Sequence, residues 1–460
     1  MNKSDLFSFI RSDSIHNLIK ASEVKTKDDI NRLQSQEYLI GFTFDELKEV
    51  FPEQFADNLY YNNGFDKTYY FDKDKNILFS VKIYGEATIK PYNELAKDVL
   101  KQADSLELEM KNGNFFPSLM LLNDKMRMQM LNRLIEQDVP DDPYNLFESF
   151  YSTSDYGCSE LTKDTMRKLQ DSKTMNQREE TSRRLKNFPD TVTVYRGEGD
   201  ISAKKEDAVS WTTDINVANF FASRMAGKNA VIHIAEVSKK DIIDYFDYEH
   251  ECIILPENIR IKDQIHIKGL DYIEKMLPKV IDYYLDYREL ITDYAQFNMG
   301  EEHGEIHSAR VLLNCLLIAK ELKLTSHETD VLAISSVFHD TMRNNDGDDT
   351  KHGEESARYY KQFANEHPAL VNYEKVIEQI IKYHCLPDEI GREQISKRYL
   401  KLFDIFKDAD ALDRVRFGIR DLDINQLRTP EAKSMTMVAD IIRQEIKLPE
   451  QTISQGMEMT

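Results

Sequence analysis

The residues of this chain best equipped for chemistry are histidines and carboxylates crowded into its last third. Eleven histidines occur in 460 residues, and seven lie between positions 303 and 384. His303 and His307 are four apart in EEHGEIHSARVLLNCLLIAKEL, so they share one face of a predicted helix. A capping box, Thr325 with Glu328, opens the next helix, which ends in the adjacent pair His339-Asp340. That pair sits where an apolar, buried helix reaches a loop, anchored by packing yet open to a substrate. His352 follows in the polar stretch TMRNNDGDDTKHGEESARYY, and His384 closes EKVIEQIIKYH. Finally, FDIFKDADALDRVR carries Asp408, Asp410 and Asp413 around another apolar helix. Imidazoles and carboxylates together suit a divalent ion of the Mg, Mn, Fe or Zn group rather than a thiolate-loving one. Such an ion lowers the pKa of water and offsets charge on a phosphoryl oxygen.

A second constellation precedes the first. VTVYRG ends an alternating strand with Arg196 beside Gly197. SWTT places Ser210 and Thr212 on one side of a strand flanking Trp211, the only tryptophan. YEHECIILP is expected to turn Glu249 and Glu251 to one side, because strand side chains alternate. An arginine, two hydroxyls and a carboxylate pair on neighbouring strands can hold a dinucleotide. The guanidinium meets phosphate, the hydroxyls meet ribose, and a carboxylate stabilises the cation formed as a glycosidic bond breaks.

The first set of motifs, HGEIHSARV, the His-Asp pair, HDTMRNNDGDDTKHG, IIKYH and KDADALDRVR, resembles the HD-domain metal-dependent phosphohydrolases over about 140 residues. The resemblance implies that His307, His339, Asp340 and Asp410 ligate a metal. By the same resemblance His352 and His384 match the extra ligands of members with a second ion. Arg343, Lys351 and Lys407 are the basic neighbours placed to contact substrate phosphate. His303 is read as a donor behind the ligands.

The second set is similar to the Arg-Ser-Glu class of ADP-ribosyltransferases, with Tyr195-Arg196-Gly197, Ser210-Trp211-Thr212 and Glu249-His250-Glu251 as its three motifs. What this implies is an NAD site of Arg196, Gly197, Ser210, Trp211, Thr212 and Glu251. Glu251 is then the catalytic glutamate, and Glu249 orients or activates an acceptor, with arginine suggested by the Glu-x-Glu form. Only 14 positions separate Arg196 from Ser210, and 41 separate Ser210 from Glu251, which leaves a small acceptor-recognition loop.

The elements that must position these residues follow from composition and pattern. The expected fold is multidomain α and α+β, with a transferase-like α+β domain followed by an all-α HD bundle. Residues 1–110 read as an α/β module without recognisable chemistry, ending in a hairpin around DKDKN. Residues 111–270 are assigned to the transferase-like domain, 271–300 to a linker helix, 301–445 to the HD domain and 446–460 to a flexible tail.

A net charge of -21 argues against generic binding of nucleic acid or anionic membrane. Four scattered cysteines, with no CxxC pair, fit a reducing compartment and indicate no thiolate zinc site. The start of the chain lacks the apolar core of a signal peptide, so the expected location is the cytoplasm, or a host cytosol reached without one.

Together the motifs predict a two-activity enzyme: NAD-dependent transfer of ADP-ribose to a protein, and hydrolysis of a nucleotide or ADP-ribosyl phosphate. The pairing resembles the SidE-type bacterial effectors with the domain order reversed, which suggests an effector, a toxin or a phage-encoded modifier. A second reading keeps only the HD nucleotide phosphohydrolase or phosphodiesterase, with the first 270 residues binding a ligand. A third treats both sites as decayed within a scaffold.

Overall fold

A computed structural model describes residues 18–33, 42–62, 68–81, 92–151, 153–154, 158–200, 202–224, 230–293, 304–343 and 349–446. The protein is mixed α+β, with two antiparallel sheets and a helical C-terminal region. It divides into two compact units, residues 1–186 and 187–460.

In the first unit, β1 (Leu18–Lys20), β2 (Leu59–Asn62), β3 (Thr68–Asp72) and β4 (Ile77–Val81) form a sheet in sequence order. The hairpin expected around DKDKN is β3–β4, with Tyr70 opposite Phe79. Its turn is set by chemistry: the Asp72 carboxylate accepts from the backbone N–H of Asp74 and Lys75, and Asn76 takes a positive φ of 57°. Helices then follow at Tyr92–Lys111, Asp124–Glu136, Pro143–Tyr151, Lys163–Ser172 and Met175–Arg184. Residues 111–186, expected in the transferase-like domain, therefore belong to this unit.

The second unit carries β5 (Thr191–Glu198), β6 (Ser210–Thr212), β7 (Ala230–Ser238), β8 (Ile242–Phe246), β9 (Glu251–Ile254) and β10 (Arg260–Ile267). Their order in the sheet is β10-β7-β5-β6-β9-β8. Strands β5, β6 and β9 lie where VTVYRG, SWTT and ECIILP place them, and β7 is the apolar run AVIHIAEV. Strands β8 and β10 were not foreseen. RIKDQIHI is mostly exposed because it is an edge strand, with a bulge between Ile261 and Asp263. Helix α1 (Ile215–Ser223) packs on β5, and Gly197 makes the approach possible. A Cβ there would fall 2.0 Å from the Ala218 carbonyl oxygen and 2.5 Å from the Ala222 nitrogen.

The helical part is built on α2 (Glu305–Glu321), α3 (Ser326–Phe338), α4 (His352–Glu366), α5 (Lys375–Tyr383) and α6 (Leu400–Leu412). The predicted capping box opens α3: Thr325 Oγ1 accepts from Glu328 N, and Glu328 accepts in turn from Thr325 N. Helix α2 and residues 331–338 of α3 are buried nearly all round. Ser335 and Ser336 satisfy their hydroxyls on the Val331 and Leu332 carbonyls one turn back.

No break separates sheet from bundle. Ile232 and Ile267 of the sheet lie in the same buried cluster as Val280, Ile291, Leu312 and Leu316. The expected linker contains two packed helices, Leu270–Met276 and Ile281–Asp293, while residues 294–300 lie outside the described residues, as does most of the expected tail. Among the described residues, no helix is long and apolar enough to cross a membrane.

Candidate functional site

Six side chains that are distant in sequence converge in the bundle. His307 comes from the first turn of α2, and His339 and Asp340 from the end of α3. His352 opens α4, His384 caps α5, and Asp410 lies on α6. All four histidines and Asp340 are almost fully buried, whereas the Asp410 side chain is 31% exposed and opens the site. His339 and His384 share one backbone setting, each at a helix C-cap with φ -61° and ψ -39°. Helix C-termini carry partial negative charge and favour a cation nearby.

Each imidazole is oriented by the nitrogen that faces away from the site. His307 Nδ1 meets Asp413 Oδ2 at 2.7 Å, His339 Nδ1 the Ser336 carbonyl at 3.0 Å and His384 Nδ1 the Ile381 carbonyl at 2.7 Å. His352 Nδ1 meets the Asp349 carbonyl. A carbonyl can only accept, so Nδ1 is the protonated nitrogen in three of the four rings, and Nε2 presents its lone pair to the centre.

These Nε2 atoms meet in two pairs. His307 and His339 are 3.1 Å apart, and His352 and His384 are 3.0 Å apart. Asp340 lies between the pairs. Its Oδ1 is 3.1 Å from His352 Nε2 and 3.3 Å from His384 Nε2, while Oδ2 is 3.6 Å from His307 Nε2 and 3.8 Å from His339 Nε2. Asp410 Oδ1 completes the first half, 3.3 Å from His307 Nε2. Phe406 walls the centre, its ring 5.4 Å from that of His339 and 6.0 Å from that of His384.

The donor set fits divalent ions. The lone pairs of His352 and His384, aimed at one another at 3.0 Å, repel unless positive charge lies between them. Burial alone would depress the His307 pKa, but hydrogen bonds donated to Asp410 and Asp413 outweigh it and raise the group to about 9. Burial, together with the positive charge of the neighbouring His307, pushes His339 down to about 4. Burial works against ionised Asp410 and Asp413 too, yet His307 holds both carboxyls well below the usual range.

The structure adds residues whose role the motifs did not reveal. Asp413 is buried behind His307, where it also accepts from Arg310 Nε at 2.5 Å and Nη2 at 3.0 Å. The spacing offered a signal, since Arg310 is one turn from His307 on α2. Asp408 is buried and structural: Thr429 and the Arg428 backbone N–H donate to it. Cys385 lies with His352 and His384 in a group whose potential ligand atoms are all within 4.8 Å of one another. Burial pushes its thiol pKa up.

The expected phosphate contacts fare differently from one another. Lys407 points away to the structure, donating to the Leu386 carbonyl and pairing with Asp388 Oδ1, both at 2.6 Å. Arg343 and Lys351 flank residues 344–348, which lie outside the described residues, as does His303.

The sheet also brings its three motifs together, because β5, β6 and β9 are hydrogen-bonded neighbours. Ser210 Oγ donates to Glu251 Oε1. Arg196 donates to the Ser210 carbonyl at 2.8 Å and the Ala203 carbonyl at 3.0 Å. Thr212 Oγ1 donates to the Glu249 carbonyl at 2.8 Å.

Three expectations change. Glu249 and Glu251 do not alternate along one strand. Glu249 ends a 3₁₀ turn, His250 is left-handed at φ 50°, and β9 begins at Glu251. Trp211, expected at the cofactor, is 1% exposed and belongs to the core. Gly197 serves the contact with α1. From the helical part, Arg420 reaches this edge, its guanidinium 4.0 Å over the Phe220 ring and 3.5 Å from Glu249 Oε1.

No family model, no curated protein and no solved structure matches this chain.

Proposed function

We propose that the helical part is a metal-dependent phosphohydrolase with a two-ion centre, as the HD-type motifs imply. The observation that carries the reading is Asp340, whose two oxygens face two separate histidine pairs. His307, His339, Asp340 and Asp410 would hold one ion, and His352, His384 and Asp340 the other. Ions there would polarise a phosphoryl oxygen and lower the pKa of an attacking water. The chain's own contribution is orientation: Asp413 and three backbone carbonyls fix the imidazoles, Phe406 limits water, and Asp410 marks the open side.

The sheet is proposed as an NAD-dependent ADP-ribosyltransferase. Its support is the Ser210–Glu251 hydrogen bond on adjacent strands with Arg196 beside them. Glu251 would stabilise cationic charge on the ribose, and Ser210 would hold that carboxylate in place. Glu249 lies 3.5 Å from the Arg420 guanidinium, which favours a protein arginine as acceptor. The substrate of the helical site is then a nucleotide or ADP-ribosyl phosphate, and the role that of a bacterial effector or toxin. A phosphohydrolase whose N-terminal half only binds ligand is the second reading, favoured by the use of Arg196 on backbone carbonyls.

Incubating the full chain with NAD labelled in its adenosine, together with cell lysate, separates these readings. The transferase reading expects nicotinamide release and labelled protein, both lost in Glu251→Ala and retained in Asp340→Ala. Absence of nicotinamide release from the wild type would leave the second reading standing.

A further inference from the structure

The two halves of the proposed metal centre differ in one atom type. The first is surrounded by nitrogen and oxygen alone. The second has a sulfur beside it, since Cys385 groups with His352 and His384 within 4.8 Å. The other described thiols offer no such setting. Cys252 and Cys315 are fully buried, and burial pushes both up to about 12.

The backbone holds the Cys385 thiol in place. His384 caps α5 and Cys385 follows it into the turn. Against that turn packs the start of α4, the dipeptide His352-Gly353. A Cβ on Gly353 would fall 2.8 Å from Cys385 Sγ and 2.7 Å from the Lys382 carbonyl oxygen. Only glycine lets the His352 end of α4 close on the thiol end of α5. The thiol makes a long donation to the Thr350 carbonyl at 3.6 Å, a weak restraint that a metal bond would readily replace.

Ligand spacing is also suitable. Two nitrogens bound at about 2.0 Å with a tetrahedral angle lie about 3.3 Å apart, close to the 3.0 Å between His352 Nε2 and His384 Nε2. Asp340 Oδ1 supplies a third ligand on the same side. A sulfur is the fourth group within reach.

We propose that Cys385 is a thiolate ligand of the second ion, so that this half of the centre is built from two imidazoles, one carboxylate oxygen and one sulfur. The inference rests on the metal-centre reading above and goes beyond it, since the residue set named there contains no thiolate. Binding releases the thiol proton to solvent as the metal–sulfur bond forms. The consequence is selectivity within one centre. The oxygen-and-nitrogen half accepts hard ions such as Mg²⁺ or Mn²⁺, while the sulfur-containing half favours Zn²⁺, Co²⁺ or Fe²⁺.

Cobalt alone is a direct probe. The full-length protein is stripped with chelator, titrated with Co²⁺, and followed by absorption spectroscopy and bound-metal analysis. The expected result is a near-ultraviolet thiolate-to-cobalt charge-transfer band, lost in Cys385→Ser while visible cobalt absorption persists. His352→Gln, which keeps the thiol but breaks the site, also loses the band, and Cys158→Ser keeps it. Excess Mg²⁺ leaves the band intact and Zn²⁺ removes it. Bound cobalt with no charge-transfer band, or a band unchanged in Cys385→Ser, overturns the thiolate ligand and leaves the metal centre standing. No bound cobalt overturns both.

Discussion

At the residue scale the centre depends on pairs rather than on isolated ligands. Asp413 touches no expected substrate position, yet it holds His307 and neutralises Arg310 in a buried setting. Removing one member of a buried charged pair typically costs about 3–5 kcal/mol, because the other charge is left uncompensated. Asp413→Asn keeps the shape and is expected to lower unfolding stability by roughly that amount, measured by chemical denaturation.

The pH dependence has a definite sign. The Asp413 carboxyl is depressed in the folded state, where His307 and Arg310 outweigh the opposing effect of burial. Its contribution is therefore complete above the unfolded pKa of about 4 and is lost as pH falls toward the folded value. Wild type should lose stability below about pH 4 more steeply than Asp413→Asn. Equal acid sensitivity would show that this carboxylate is not part of the linkage.

Much of the site was legible at this scale, because histidine is scarce and its placement beside acidic residues is distinctive. Cys385 was not legible. Cysteine spacing is informative when thiols come in pairs, and a single thiol beside a histidine is revealed only by the packing of α4 on α5. Lys407 was misread for the converse reason: a lysine near an acidic motif looks available until Asp388 and the Leu386 carbonyl are seen to hold it.

At the element scale the helices and four of the six strands of the second unit follow from periodicity and caps, as Thr325 with Glu328 illustrates. The Glu-x-Glu segment did not follow. Alternation assumes extended backbone, and His250 in the left-handed region ends that assumption one residue before β9. Tyr245 OH lies 2.9 Å from His250 Nδ1, and Thr213 N donates to the His250 carbonyl at 2.9 Å, so the turn is held from both sides.

Gly197 is the other element-scale determinant. The motif suggested ligand binding, whereas the geometry assigns it to the β5–α1 contact. Gly197→Ala would push backbone atoms of α1 away from the strand. An overpacking cost of about 1–3 kcal/mol is expected, with a lower melting temperature even without ligand. Unchanged stability accompanied by lost nucleotide binding would return Gly197 to the cofactor role.

At the scale of the whole molecule the least legible feature was the division of the chain. The change in texture near residue 191 marks the start of a sheet, and the onset of continuous helix near 270 suggests a boundary. Only the first coincides with a division between compact units. The second is closed by a shared core and by polar contacts that join distant segments. Asn216 binds Asp423 and the Ile424 backbone, and Thr436 Oγ1 donates to Asn219 Oδ1. Such contacts span more than 200 residues and leave no local trace in composition.

The central claim is that Asp340 joins two histidine pairs into one two-ion centre, and metal counting tests it most directly. Full-length wild type and Asp340→Ala, each shown by circular dichroism to be folded, are loaded with Mn²⁺ or Zn²⁺ and desalted, and bound metal is measured by elemental analysis. The account predicts two ions per wild-type chain and a loss affecting both halves in Asp340→Ala. Full metal content in the folded Asp340→Ala variant would contradict it.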